Sequence, residues 1–270
     1  MAEGFFANET VTVYLSTGKK IRLSEFLVGC TLATPGRNFT DGIHGMLALG
    51  ASPYSFAGQA VEIFGGKFSY CLVDILSPKN VSNYIVFGHN VHPPNMQFTS
   101  LIVNKIAPFY AVRVIGISVG GELLGIPLSV WNEDREGGTI IDSGTSLMQL
   151  AEPAYRPIMD AFISSPGLKD YTRVDDEDFE FCISVKPGEL DEERVPKLVI
   201  YFADGARLVP PVRNYLHEAA PELMCLAFQP VPFPGVSVIG NLIQQHYFWE
   251  FDFMKRRLGF APSSCTQHGH

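Results

Sequence analysis

The sequence predicts an all-β protein, either one large unit or two lobes, on three observations. Short apolar runs rich in Val, Ile, Phe and Tyr recur along the chain, bounded by Gly, Pro, Asn and Asp, which is the pattern of strands joined by turns. Helical spacing over a substantial length is confined to Glu152–Ile163 and, more briefly, Ser55–Ile63. Three β-branched residues, Thr139-Ile140-Ile141, run into Asp142-Ser143-Gly144-Thr145, so a buried strand opens into a tight polar loop. With 270 residues and 46% hydrophobic content the chain can bury a sizeable core.

Taken in order, Glu9–Tyr14 alternates as a strand, Ser16–Lys19 turns, and Ile21–Leu23 with Phe26–Val28 returns. Thr31–Thr40 reads as a polar loop and Gly45–Gly50 as a glycine-rich apolar segment. The helix from Ser55 ends at Gly65-Gly66, and Phe68–Val73 and Tyr84–Gly88 are the next strands. Phe109–Val119 alternates again, and Ile117–Leu124 reads as a hairpin. The helix at Glu152 tolerates Pro153 in its first turn, while Pro157 would disturb a longer one. Leu198–Phe202 turns through Asp204-Gly205 into Arg207–Val209. Tyr215-Leu216, Cys225–Phe228, Val238-Ile239, Phe248–Asp252 and Leu258–Ala261 complete the strands.

Composition excludes several functions. The net charge of −8, with no basic cluster beyond Lys255-Arg256-Arg257, argues against nucleic acid as a partner. No apolar stretch is long enough to span a bilayer, and Met1–Phe6 lacks the basic and apolar regions of a signal peptide. None of the five cysteines lies in a Cys-x-x-Cys pair, so no zinc site is expected. His44, His89 and His92 lack partners at metal spacing and read as solvated loop histidines. Asp175–Asp178 lacks the spaced ligands and glycine of a calcium loop and reads as a solvated acidic loop. Neither metal nor other cofactor is expected. Sequons at Asn8, Asn38 and Asn80 are glycosylation candidates and fit a secreted, oxidising history, in which an odd cysteine implies an absent partner or a free thiol. A secretory chain without a signal suggests a shortened N-terminus.

Asp142 is the residue on which function turns. In the plain reading it is the first residue of an Asx turn closing a hairpin. The unbroken strand before it and the apolar alternation of Leu147–Leu150 after it enclose the loop instead. Ser143, Thr145 and the loop amides are the donors that could hold its carboxylate ionised and fixed in direction.

Asp142-Ser143-Gly144-Thr145 after an apolar strand, with Leu150–Tyr155 opening a helix, resembles the second catalytic motif of pepsin-like aspartic proteases of the plant nepenthesin-like branch. Gly4–Thr10 resembles the strand after that family's flap, and Phe68–Leu72 its strand with a paired cysteine. Val238-Ile239-Gly240 resembles the closure of the second ψ-shaped loop, with Gly240 passing under the Asp142 loop. Gly45–Gly50 falls where the first such closure would lie, with Ala48 in place of the usual glycine.

The resemblance implies an all-β, bilobal pepsin-like fold with a truncated N-terminal lobe: residues 1–105 a partial N-terminal lobe, 106–270 the C-terminal lobe. It implies an aspartic endopeptidase acting on extended peptide or protein substrates through a water between two aspartates. Asp142 would be one of them, Ser143 and Thr145 would orient it, and Gly144 would admit close backbone approach. The sequence has no second Asp-Thr-Gly or Asp-Ser-Gly, so this chain is expected to be inactive alone. The alternative is a catalytically dead binding protein of the same fold, such as a xylanase inhibitor. The resemblance further implies disulfides Cys182–Cys225 and Cys71–Cys265, an unpaired Cys30, a monomer, and a secreted, extracellular or vacuolar location.

Overall fold

The computed structural model describes residues 3–15, 17–33, 44–78, 80–103 and 105–265. The chain divides into two compact units, Met1–Ile63 and Phe64–His270.

In the first unit, strands β1 (Glu3–Tyr14) and β2 (Lys20–Ala33) form an antiparallel hairpin, paired from Glu3↔Ala33 to Tyr14↔Lys20. Gly18 closes its turn with φ +78°, a conformation glycine adopts at no steric cost, and its N–H donates to the Leu15 carbonyl at 2.8 Å. The polar loop expected from Thr31 is strand as far as Ala33; its remainder, with Asn38, lies outside the described residues, as does Ser16. The helix expected over Ser55–Ile63 is a single turn, α1 (Phe56–Gln59). Ser55 caps it by accepting from the Gly58 N–H at 3.0 Å, but β-branched Val61 and Ile63 favour continuation poorly, and the chain proceeds as turns. Gln59 pins this turn to β2, accepting from Leu27 N at 2.7 Å and donating to Leu27 O at 3.1 Å. Leu23, Phe26, Phe56 and Ala57 are buried.

The second unit opens with β3 (Lys67–Cys71), β4 (Tyr84–Phe87), β5 (Gln97–Ile102), β6 (Tyr110–Val112), β7 (Val114–Val119), β8 (Glu122–Leu123), β9 (Thr139–Ile141) and β10 (Met148–Ala151). Helix α2 spans Glu152–Ile163 as expected and runs through Pro157. Burial of Tyr155, Ile158, Met159 and Phe162 along one face offsets the hydrogen bond that this proline cannot make. A short α3 (Pro166–Lys169) precedes β11 (Thr172–Val174), β12 (Cys182–Ser184), β13 (Leu198–Phe202), β14 (Arg207–Leu208), β15 (Leu216–Ala220) and β16 (Leu223–Leu226). The chain ends with β17 (Phe228–Val231), β18 (Ser237–Ile239), α4 (Asn241–Gln244), β19 (Tyr247–Asp252) and β20 (Arg257–Pro262). Two local expectations are corrected. Tyr215 precedes its strand and donates its hydroxyl to the Pro196 carbonyl at 2.9 Å, and the run Cys225–Phe228 is split between β16 and β17 at Ala227.

Ten strands form one sheet in the order β17-β10-β18-β9-β6-β5-β20-β19-β3-β4, with four-stranded sheets β11-β12-β16-β15 and β14-β13-β7-β8 beside it. Trp249, Phe248, Phe260 and Phe202 are fully buried, and Trp249 meets Phe260 at 5.2 Å between ring centres. Cys71 is bonded to Cys265, and Cys182 to Cys225 across the β12–β16 pair. Residue 105 lies between β5 and β6, which pair Leu101↔Val112 within the large sheet, whereas the compact units divide at Ile63.

Candidate active site

The site is built by one strand passing between two others. β9 and β10 flank the Asp142 loop, yet they do not pair with each other, because β18 lies between them. It runs parallel to β9, with Ser237↔Thr139, Val238↔Ile140 and Ile239↔Ile141, and antiparallel to β10 through Val238↔Gln149. Thr139, Ile140 and Ile141 are all buried, so the chain surfaces at Asp142, which is half-buried. Its N–H donates to the Ile239 carbonyl at 3.2 Å, fixing the root of the loop.

Gly240 makes this crossing possible. A Cβ at that position would stand 2.1 Å from the Leu147 carbonyl oxygen and 2.9 Å from that of Thr145, both backbone atoms with nowhere to go. The chain then returns two hydrogen bonds to the loop, Asn241 N to Thr145 O at 2.6 Å and Leu242 N to Ser146 O at 3.0 Å. The Asn241 side chain adds a third, donating to Ser143 O at 3.1 Å.

Each oxygen of the Asp142 carboxylate has its own donor. The Gly144 N–H reaches Oδ1 at 2.9 Å and the Thr145 hydroxyl reaches Oδ2 at 2.8 Å. Gly144 suits this approach, since a Cβ there would lie 3.2 Å from Oδ1. The Gly144 amide, one of the loop donors the sequence offers, thus joins Thr145 in holding the carboxylate.

Beneath the loop lies a polar chain that sequence patterning does not reveal. Tyr70 donates to the Gln244 side-chain carbonyl, Gln244 donates to Ile239 O at 2.7 Å, and Trp249 Nε1 donates to Gln244 O at 2.9 Å. Burial, and then the Asp142 charge, push the Tyr70 phenol above its ordinary pKa, against the hydrogen bond from Ser143. Tyr70 therefore stays a neutral donor under the loop. The one available signal was a glutamine pair, Gln244-Gln245, in an apolar neighbourhood.

Elsewhere the structure places the remaining candidates separately. Asn8 and Asn80 are exposed, Cys30 is a half-buried free thiol, and His44 and His89 are exposed in loops. His92, expected to be merely solvated, has Nε2 2.8 Å from Oε2 of fully buried Glu250, which also meets Lys67 at 3.3 Å. Among the described residues no group of His, Cys, Asp and Glu is arranged to hold a metal, and no helix is long and apolar enough to cross a membrane.

A carboxylate held this way can orient a water and exchange a proton with it. Separating acid and base roles at one water requires a second carboxyl group close enough that the two share a proton. Asp142 supplies one such group.

Residues 109–262 match the family model described as Xylanase inhibitor C-terminal, and residues 1–89 the one described as Xylanase inhibitor N-terminal. Aspartyl protease family protein 2 of Arabidopsis thaliana is 37% identical over 269 residues, 97% of this chain and 53% of that protein. Aspartic proteinase nepenthesin-2 of Nepenthes gracilis is 30% identical over 268 residues, 97% of this chain and 58% of that protein. The chain thus spans little more than half the length of these curated relatives. Among solved structures, edgp superposes with a TM-score of 0.82 at 20% identity, covering 97% of this chain and 71% of its own. Basic 7S globulin from soybean gives 0.75 at 21% identity, covering 97% and 70%.

Proposed function

The chain belongs to the pepsin-like aspartic protease superfamily, and from that membership we propose that it carries one half of the active site of an aspartic-type endopeptidase of the plant nepenthesin-like branch. Its fold is mainly β and pepsin-like. The observation that carries the proposal is the Asp142 carboxylate, with one donor on each oxygen, at the mouth of a strand crossing that only a glycine at 240 permits. In this reading Asp142 is one member of the dyad, Gly144 and Thr145 orient it, and Ile239-Gly240 close the ψ-loop. The boundary between lobes falls near residue 105, between the spans matching the N-terminal and C-terminal family models.

Catalysis would proceed by attack of a water on a peptide carbonyl, Asp142 and a second aspartate exchanging the roles of base and acid. The sequence holds a single Asp-Ser-Gly-Thr loop, so the 270 residues alone are proposed not to hydrolyse peptides. The substrate is an extended polypeptide, the chain a monomer, and the location extracellular or vacuolar, in keeping with its two disulfides. The test is hydrolysis of a denatured protein at acidic pH, blocked by a pepstatin-type inhibitor. It should be absent with this chain and present when a lobe carrying a second Asp-Thr-Gly loop is fused before residue 1.

A second reading is favoured by the descriptions of the two matching family models and by the single aspartate loop: a non-catalytic binding protein directed at a glycosidase. It predicts stoichiometric binding to a xylanase without peptide cleavage by any fused form.

A further inference from the structure

Two side-chain amides linked to the Asp142 loop, those of Asn241 and Gln245, belong to a hydrogen-bonded series that begins and ends on backbone. The Ile75 N–H donates to Gln245 Oε1 at 3.2 Å, Gln245 Nε2 donates to Asn241 Oδ1 at 3.0 Å, and Asn241 Nδ2 donates to the Ser143 carbonyl at 3.1 Å. We propose that Asn241 and Gln245 are positioning residues, which hold the plane of the Ser143–Gly144 peptide so that its N–H points at the Asp142 carboxylate.

The two ends force the direction of the series. A backbone N–H can only donate and a backbone carbonyl can only accept, whereas each side-chain amide has one end of either kind. Ile75 therefore fixes which end of Gln245 faces Asn241, and Ser143 fixes which end of Asn241 faces Gln245. The two demands agree. Turning either amide over would set donor against donor on one side and acceptor against acceptor on the other, so two bonds would be lost at once.

The series ends on the peptide that carries the donor. Ser143 C=O and Gly144 N–H belong to one planar trans unit, in which they point in opposite directions. Pinning the carbonyl on one side therefore aims the N–H on the other, which reaches Asp142 Oδ1 at 2.9 Å. Gly144 is exposed and has no side chain, so packing contributes little to the orientation of this peptide.

The far end of the series is firmly held. Gln245 is buried, and its carbonyl accepts from the side chain of fully buried Asn214 at 2.6 Å. Neighbouring Gln244 is engaged with Tyr70 and the Ile239 carbonyl, so the two glutamines divide the work. Gln244 supports the end of β18, and Gln245 supports the loop.

The inference rests on the half-site reading and deepens it by naming what aims a donor at Oδ1. Its test is amide hydrogen exchange followed by NMR on the 270-residue chain. In Gln245→Met, which keeps the length of the side chain and removes its donor, the protection factor of the Gly144 amide should fall about 10-fold, with the β19 amides unchanged within about 2-fold. Gln245→Glu supplies the rescue. Its ionised carboxylate accepts from Ile75 but cannot donate to Asn241, and its protonated form can do both. Measured against the parent at each pH, Gly144 protection in this variant should match the Met variant at neutral pH and return to within about 2-fold of the parent in acid. The Glu variant keeps the test intact if the Met chain does not fold, because its two states differ by a single proton. Undiminished Gly144 protection in folded Gln245→Met, a fall shared equally by β19, or a Gln245→Glu deficit that does not change with pH overturns the assignment. Hydrolysis plays no part in this measurement, so the expected exchange pattern beside an inactive fusion would refute the endopeptidase reading and leave the aim of Gly144 standing.

Discussion

Residues 45–50 and 237–240 are both short apolar runs containing glycine, and both stand, by resemblance, where a ψ-shaped loop is closed. The first lies outside any strand, with Met46 84% and Leu47 55% exposed, while Ser237, Val238 and Ile239 form buried β18. Apolar content is similar, so it does not decide the outcome. A strand forms where its amides have partners, and β18 has β9 on one side and β10 on the other. In the first run the Ala48 carbonyl accepts from the Phe56 N–H at 2.8 Å, a turn contact rather than a strand ladder. The difference teaches that the placement of Asp142 is a property of the crossing rather than of the motif alone.

The sharpest way to break this contrast is to fill the space beneath the loop. Gly240→Val should cost roughly 3 kcal/mol of stability in urea denaturation, because its Cβ collides with two backbone carbonyls. Ala48→Val, in the exposed run, should change stability by less than about 0.5 kcal/mol in the same measurement. Equal effects at both positions would dissolve the distinction.

Next in size is the polar chain under the loop. Tyr70→Phe removes the donor to buried Gln244 and should cost about 2 kcal/mol, since an acceptor is left unsatisfied away from water. Urea titration of this variant tests whether the support beneath Asp142 is structural.

A smaller effect should appear where β5 meets the turn after β13. The Ser100 N–H at 2.8 Å and the Thr99 hydroxyl at 2.9 Å hold the Asp204 carboxyl below its ordinary pKa. A depressed carboxylate contributes stability that is complete above the unfolded-state value, near 3.8, and is lost as pH falls through the folded-state value. Asp204→Asn should accordingly lower stability by less than roughly 1 kcal/mol at neutral pH, and the deficit should vanish in strong acid. A deficit independent of pH would reassign the role of Asp204 to packing. The least effect is expected at Met46→Ser, within about 0.5 kcal/mol by thermal melting, because this side chain is already in water.

The parts of this fold legible in the sequence are those whose signals are local. Helix α2 and strand β13 begin and end where periodicity and turn residues place them, and the β9 strand is announced by its β-branched run into Asp142. Gly240 was readable through its order after Asp142, although the collision that makes it necessary is visible only in three dimensions. The length of β2 was underestimated because Cys30-Thr31-Leu32-Ala33 is ladder-paired to Glu3–Phe5 across the hairpin, a contact that composition does not encode. The Gly144 amide and the Thr145 hydroxyl are among the donors that the loop's own sequence offers to Asp142, whereas Tyr70, distant along the chain, is brought beneath the loop only by the fold. His92 likewise owes its carboxylate to Glu250, 158 residues away.

Pepstatin-sensitive proteolysis at acidic pH, measured on the 270-residue chain, on the same chain fused to a lobe with a second aspartate loop, and on that fusion carrying D142N, tests the half-site most directly. Activity should appear in the intact fusion alone. Cleavage by the unfused chain, or by the fusion without its Asp142 carboxylate, would contradict the assignment.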